Sequence, residues 1–428
     1  VAKQFQNVRG MPDILPEEQY QIDRLTDTFR QLADAAGYLR MDSPILEEKG
    51  VFVRGVGSGT DIVDKEMYDF EDRSGNLVAL RPEPTAGIVR AYIQNGMGSW
   101  PQPVKLQIDG PMFRYDRPQA GRRRQFHQLG VEMIGDASPS QDAHIITLAL
   151  RFYRMVGLRG VTLHINSIGS PADRKAYLKD LTAYLKEHRA KLPELDQKRI
   201  TTNPLRVIDS KAAATQKVIA GAPQILNYLS EASKAHFTSV LEYLDTLGIT
   251  YELNPFLVRG LDYYTDTVFE FFGVREGAQS SLGGGGRYNH LVEQLGGTPT
   301  PAAGFGIGIE RLMLELAADG VTQPTSQPVP VYVASLGEPA RLAAFSLIER
   351  LLDAGVGAVG AVDKDSIGAQ LERANKLGVP HAVIIGQKEV QEETAILRDM
   401  KSGAQEMLPL KSIVRDLQHR FSSPDAAK

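Results

Sequence analysis

The sequence contains no cysteine. That excludes disulfides, iron–sulfur clusters, thiolate zinc sites and a cysteine nucleophile together. It has no run of about 18 apolar residues, so no membrane-spanning helix is expected. The opening VAKQFQNVRGMPDILP lacks the apolar core of a targeting segment, and the expected address is the cytoplasm. Positive charge is not in excess either: 48 Lys and Arg stand against 52 Asp and Glu, a net charge of −4. Bulk attraction to nucleic acid is thereby excluded, and any contact with RNA has to come from local basic patches. No internal repeat or low-complexity tract stands out. What remains is ordinary: 42% hydrophobic and 23% charged residues describe a globular chain rather than a disordered one. A length of 428 residues suggests two to four domains.

Periodicity gives the elements. Tyr20, Leu25, Phe29 and Leu32 recur at helical spacing, which predicts a helix from Glu17 to Gly37. Tyr38 to Leu46 reads as a strand carrying Pro44, a residue suited to an edge, a bulge or a subunit contact. Residues 66–81 predict a hairpin turning at Arg73-Ser74-Gly75-Asn76, and Thr85 to Asn95 a helix. Val104–Asp116 and Arg124–Gly135 read as a strand pair with a long Arg-rich connection, and Val161–Ile165 as another strand. Residues 171–250 turn rich in Lys, Ala, Leu and Glu and read as a helical insertion. Strands are expected again at Tyr251–Phe256 and Thr267–Phe272. The glycine run at 283–286 is expected to be a tight turn into a helix, and 304–316 a strand, a turn and a helix. VTQPTSQPVP, residues 321–330, carries three prolines and reads as a linker. Beyond it, strands and helices alternate as a compact α/β domain, with VGAVGAV, residues 356–362, as one of the strands.

Four stretches could carry chemistry. In FRYDRPQAGRRRQFH, residues 113–127, five arginines (114, 117, 122, 123 and 124) fall within eleven positions. Arg114, at a strand end, can present its planar fork to a phosphate. The loop arginines, read as mobile, suit an acidic polymer; a solvated hairpin tip accounts for the same residues. In LRPEPTAG, residues 80–87, Thr85 could cap the following helix and Glu83 could favour the positive end of its dipole. RGLDYYTDT, residues 259–267, opens a strand with an arginine and two tyrosines, for which a core role is also open. GFGIGIER, residues 304–311, places glycines on one strand face, where something flat can approach the backbone. It is not a dinucleotide fingerprint, because Ile309 stands where a third glycine belongs.

Together these stretches resemble the histidyl-tRNA synthetases, which are class II aminoacyl-tRNA synthetases. Tyr38–Leu46 resembles motif 1, a dimer element. The run from Phe113-Arg114 through Arg122–Glu132 resembles motif 2, and Gly304–Arg311 motif 3. RGLDYYTDTVFEF, residues 259–271, is similar to the signature of the histidine enzyme, NPLRVIDSK (203–211) to its insertion, and residues 329–428 to its anticodon-binding domain. Pro84 departs from the bacterial pattern, which often has glycine there; proline removes a backbone N–H.

The resemblance implies an α+β protein. Its antiparallel-sheet catalytic core (1–325) would carry the 171–250 insertion, followed by an α/β anticodon-binding domain at 326–428. It implies ATP-dependent attachment of L-histidine to tRNA(His) through a histidyl-adenylate, with Mg²⁺, in a homodimer and away from any membrane. Arg114 would contact the α-phosphate and Arg311 the γ-phosphate. Arg259 would lie between the α-phosphate and the histidine carboxylate. Glu83, Thr85 and Gln128 would hold the substrate amino group and backbone, and Glu132 and Tyr264 the imidazole nitrogens, with Tyr263 beside them. Arg117, Gln119, Arg122, Arg123 and Arg124 would meet the tRNA acceptor end. The protein ligands of the metal are left open. Rival readings are a non-catalytic regulatory paralogue of this core, a nucleotide-dependent oxidoreductase, and another class II synthetase.

Overall fold

A computed structural model describes residues 4–57, 59–274, 281–321, 324, 329–360 and 366–421. The chain divides into two compact units, Val1–Thr325 and Ser326–Lys428.

The first unit is organised by an eight-stranded sheet. Its order is Leu39–Arg40, Val104–Phe113, Gln125–Ile134, Ala302–Gly308, Ser281–Arg287, Thr265–Phe272, Thr162–Ser167 and Glu252–Leu253. The neighbours are antiparallel except at the two edges, where Leu39–Arg40 and Glu252–Leu253 pair parallel. Alternation sorts the side chains. Leu129, Val131, Ala303, Phe305 and Ile307 face one way, into a core closed by apolar stripes of the helices Pro16–Ala35, Pro139–Met155 and Ile309–Ala318. The alternate residues, with Leu106, Ile108, Ile134 and Val268 among them, face a second core.

That second core is shared with the helical insertion. Its helices are Pro171–Glu187, Glu194–Thr202, Leu205–Ile208 and Ala213–Ile219. Ser170 starts the first with a reciprocal capping box to Asp173, which satisfies two backbone donors that helix geometry leaves unpaired. Tyr177, Leu181, Leu185, Ile200, Val207 and Ile219 are buried here, each such leucine contributing about 1.5–3 kcal/mol. The helix Glu231–Thr246, expected as part of the insertion, instead packs on the first core through Phe237, Val240 and Leu244.

Several boundaries differ from the sequence reading. The expected Tyr38–Leu46 strand shrinks to Leu39–Arg40 and, in a separate three-stranded sheet, Leu46–Glu48; Pro44, without an N–H, lies in the gap. The Tyr251–Phe256 strand is only Glu252–Leu253, because the Asn254 side chain accepts from the Phe256 N–H and turns the chain. The glycine run is no turn: Ser281–Arg287 is a central strand, and its helix, Leu291–Gln294, comes later.

The second unit has a five-stranded sheet. Val331–Ser335 pairs parallel with Ala358–Gly360 on one side and His381–Ile385 on the other; Thr394–Asp399 and Gln405–Pro409 follow antiparallel. Valines 331, 333 and 383 pack under the helices Glu338–Asp353 and Ile413–Phe421. Most of the 321–330 linker and the end of the strand expected at 356–362 lie outside the described residues.

Candidate active site

A cavity of about 460 Å³ opens on the insertion-facing side of the large sheet. Its floor explains both glycine motifs. Cross-strand register aligns Val268, Gly286, Gly304 and Glu132 in one row, and Glu270, Gly284, Gly306 and Gly130 in the next. A Cβ on Gly304 would come 1.9 Å from Glu132 Oε2, and one on Gly284 2.8 Å from Arg259 Nη1. On Gly286 it would meet Tyr264 Cδ1 at 3.0 Å, and on Gly306 Gln128 Nε2 at 3.0 Å. Each glycine therefore leaves room for one functional side chain lying flat on the sheet.

Glu132 sits at the bottom of the cavity. The Thr85 hydroxyl donates to its Oε1 at 2.6 Å and the Tyr288 hydroxyl to its Oε2. Burial outweighs both donors and pushes the carboxyl up to about 8. Tyr263 and Tyr264 flank it, rings 4.7 Å apart, and Tyr263 stacks edge-on against Tyr288 at 5.5 Å. Burial raises both flanking phenols, so they stay protonated donors.

The cations are fixed around this group. Arg259 pairs with Glu270 through Nη1 at 3.0 Å. Burial alone would lower the guanidinium, but Glu270 and the nearby phenols reverse the shift and hold it charged. Arg114 donates through Nε to the Pro82 carbonyl at 2.8 Å and stacks over Phe126. Arg311 donates to the Ser281 carbonyl at 3.1 Å. Both are lowered, first by desolvation; Arg311 is lowered further by Arg122 and Arg114. These three cations share the cavity lining with Arg122, Arg123 and Arg206, an arrangement that favours a polyanion. Gln128 Oε1 and Arg259 Nε are buried without a protein partner, and a buried polar group without one invites a ligand.

Glu83 serves the chain as well as the cavity. Its oxygens accept from the N–H groups of Thr85 and Ala86 at 2.8 and 2.9 Å, so it caps the helix Thr85–Gln94. Thr85 is not the cap expected of it; its hydroxyl is turned to Glu132. Burial raises the Glu83 carboxyl, against the pull of those two N–H donors.

The basic loop is tethered rather than mobile. Arg122 pairs with Asp116 at 3.0 Å and Arg123 with Glu18 at 2.6 Å, and Arg124 stacks on Tyr115 at 3.7 Å. Asp116 and Tyr115 come from the same stretch, and Glu18 from the first helix. Arg122 and Arg123 line the cavity; Arg117, Gln119 and Arg124 do not.

The structure thus brings together Glu83, Thr85, Arg114, Gln128, Glu132, Arg259, Tyr263, Tyr264 and Arg311. Sequence reasoning missed Tyr288 and Glu270. Both follow their motifs by strand alternation: Tyr288 comes directly after the glycine strand, and Glu270 lies two positions beyond Val268 on the cavity face.

Known proteins resemble the chain over nearly its whole length. A family model described as histidyl-tRNA synthetase matches residues 10–312, and one described as anticodon binding domain matches 330–420. A histidine–tRNA ligase of Dehalococcoides mccartyi is 46% identical, covering 97% of this chain and 100% of its own. One from Pelotomaculum thermopropionicum is 45% identical, covering 97% of each. The crystal structure of apo S. aureus histidyl-tRNA synthetase superposes with a TM-score of 0.82 at 34% identity, covering 97% of this chain and all of that one.

Proposed function

The chain belongs to the histidyl-tRNA synthetase family, and from that premise we propose how its cavity works. The activity is that of an aminoacyl-tRNA ligase. L-Histidine and ATP give histidyl-adenylate and pyrophosphate, and the histidyl group then passes to tRNA(His) with release of AMP. In the first step a carboxylate oxygen bonds to the α-phosphorus. The bond to the bridging oxygen breaks, and its electron pair leaves with pyrophosphate. The nucleophile is already ionised, so alignment and charge neutralisation are what the protein has to provide.

Arg259 holds the histidine carboxylate against the α-phosphate. Arg114 takes the other side of that phosphate and Arg311 the γ-phosphate. The free lone pairs of Glu83, with Thr85 and Gln128, receive the ammonium group and backbone. Glu132 accepts from one imidazole N–H while the Tyr264 hydroxyl serves the second nitrogen, with Tyr263 packed beside them. An analogue lacking either nitrogen leaves a buried polar group unpaired, at about 1–3 kcal/mol. The observation that carries this reading is Glu132, clamped by two hydroxyls in the cavity that also holds Arg259 and Tyr264.

Among the described residues no group of three or more His, Cys, Asp or Glu could hold a metal. Mg²⁺ is proposed as a companion of ATP, held mainly by phosphate oxygens. Glu270 Oε2 is the protein oxygen nearest in chemistry, since Oε1 serves Arg259 and Ser281. Bound there, the ion would neutralise charge on the phosphates. Arg117, Gln119 and Arg122–Arg124 are proposed to meet the acceptor end of the tRNA, and residues 326–428 its anticodon. No helix among the described residues is long and apolar enough to cross a membrane; the cytoplasm is the proposed place of action. Exposed Leu39, Ile45 and Leu46, on and beside the sheet edge, support a homodimer through the Tyr38–Leu46 segment.

ATP–pyrophosphate exchange with each amino acid tests the assignment. Exchange with histidine alone supports it, and no exchange with any amino acid would overturn it in favour of a non-catalytic paralogue.

A further inference from the structure

One motif has no role in that mechanism: NPLRVID, residues 203–209, in the insertion. It reaches the cavity. Arg206 and Asp209 line its wall, opposite the sheet and beside Gly260 and Leu261. Arg206, on the short helix Leu205–Ile208, donates through Nη2 to the Gly260 carbonyl. Arg174, on the first insertion helix, donates through Nη2 to the Tyr264 carbonyl and reaches the Asp262 carbonyl from Nη1 at 3.5 Å. These carbonyls belong to the loop that runs from Arg259 to Tyr264. Among the described residues the loop's backbone is otherwise bonded to the catalytic body through Asp262 N–H to the Val56 carbonyl, while its side chains reach Glu270 from Arg259 and Glu83 from Tyr263. Gly260 has no Cβ, and one placed there would stand 3.5 Å from Arg206 Nη1, already in contact.

We propose that Arg206, seconded by Arg174, is a positioning residue for histidine: the insertion grips the 259–264 loop by its carbonyls and thereby sets where Arg259 and Tyr264 stand. A guanidinium suits this task because its planar fork holds an oxygen in direction as well as distance. Histidine affinity is then a property of the insertion as much as of the sheet. Arg114 and Arg311, held by the Pro82 and Ser281 carbonyls, do not depend on this grip, so the triphosphate end of ATP is left alone.

The inference rests on the assignment above, and one experiment separates the two. ATP–pyrophosphate exchange is measured on full-length protein, Arg206→Ala and Arg206→Lys, with KM determined separately for histidine and ATP. The alanine variant is expected to raise the histidine KM roughly tenfold or more, the range for a lost charged hydrogen bond. The ATP KM should stay within about twofold. Lysine, which keeps the charge but not the fork, should fall between. If histidine and ATP KM both stay put, or rise together, the positioning role is wrong. If alanine prevents folding, the lysine variant decides: a selective rise in histidine KM supports the grip, and unchanged values overturn it. Failure of the unaltered protein to exchange with histidine would instead refute the assignment.

Discussion

Glu132→Gln isolates the electrostatics of the cavity. The carboxyl is fully enclosed, and burial lifts it to about 8 from an ordinary 4.5 despite hydrogen bonds from Thr85 and Tyr288. The folded protein therefore keeps a proton that the unfolded chain releases between those two values. A folded pKa raised in this way gives stability that is complete below pH 4.5 and is lost as pH climbs through 8. At about 1.36 kcal/mol per pH unit the loss amounts to roughly 5 kcal/mol. Glutamine keeps the shape and does not titrate. The difference in unfolding free energy between variant and wild type should thus grow in the variant's favour by up to about 1.4 kcal/mol per pH unit toward pH 8. Urea unfolding of both proteins from pH 5.5 to 8.5, following the catalytic unit without ligands, measures it. Activity should move the other way, because the imidazole N–H favours the ionised, acceptor-only carboxylate, a state the amide with its N–H₂ cannot adopt; the loss in kcat/KM for histidine should be about 10–150-fold. Parallel stability curves across that range would show that Glu132 is ionised in the empty cavity and that its two hydroxyl donors outweigh burial.

Gly304→Ala should abolish most histidine-dependent exchange while costing about 1–3 kcal/mol of stability, since its methyl would stand 1.9 Å from Glu132 Oε2; activity near that of the wild type would show that the floor is not a steric device. Tyr288→Phe removes one of the two donors to Glu132 and should raise the histidine KM about five- to tenfold, with little change in the ATP KM, as read by the same exchange assay. Neutralising Arg123 and Arg124 together should weaken tRNA charging more than adenylate formation; equal loss in both assays would refute their assignment to the acceptor end.

Much of this protein was legible in its sequence, and the omissions share a cause. The helix Pro16–Ala35, the hairpin at Arg73–Asn76 and the strand pair around the basic loop follow from periodicity and turn residues, signals carried within a few positions. Of the residues named from motifs 2 and 3 and from the 259–271 signature, Arg114, Gln128, Glu132, Arg259, Tyr263, Tyr264 and Arg311 share one cavity with Arg122 and Arg123, while Arg117, Gln119 and Arg124 lie outside its lining. Ser281–Arg287 was misread because four consecutive glycines have poor strand propensity. Register on both sides and the need to clear Arg259 and Tyr264 override that preference, and neither is visible locally. The same limit hid Tyr288, which acquires its role only when the sheet places it over Glu132. It also hid the tether of Arg123, because Glu18 lies more than a hundred residues away.

The order of strands in the large sheet bears on how the enzyme is made. Leu39–Arg40, Val104–Phe113 and Gln125–Ile134 form one half; Ser281–Arg287, Thr265–Phe272, Thr162–Ser167 and Glu252–Leu253 form the other. Only Ala302–Gly308, the last of the eight to leave the ribosome, bonds to both. A nascent chain that has not yet reached residue 302 therefore carries two separate half-sheets, each with a naked edge open to wrong partners. Its Glu132 and Arg259 have no common floor until that glycine-lined ribbon slides between them.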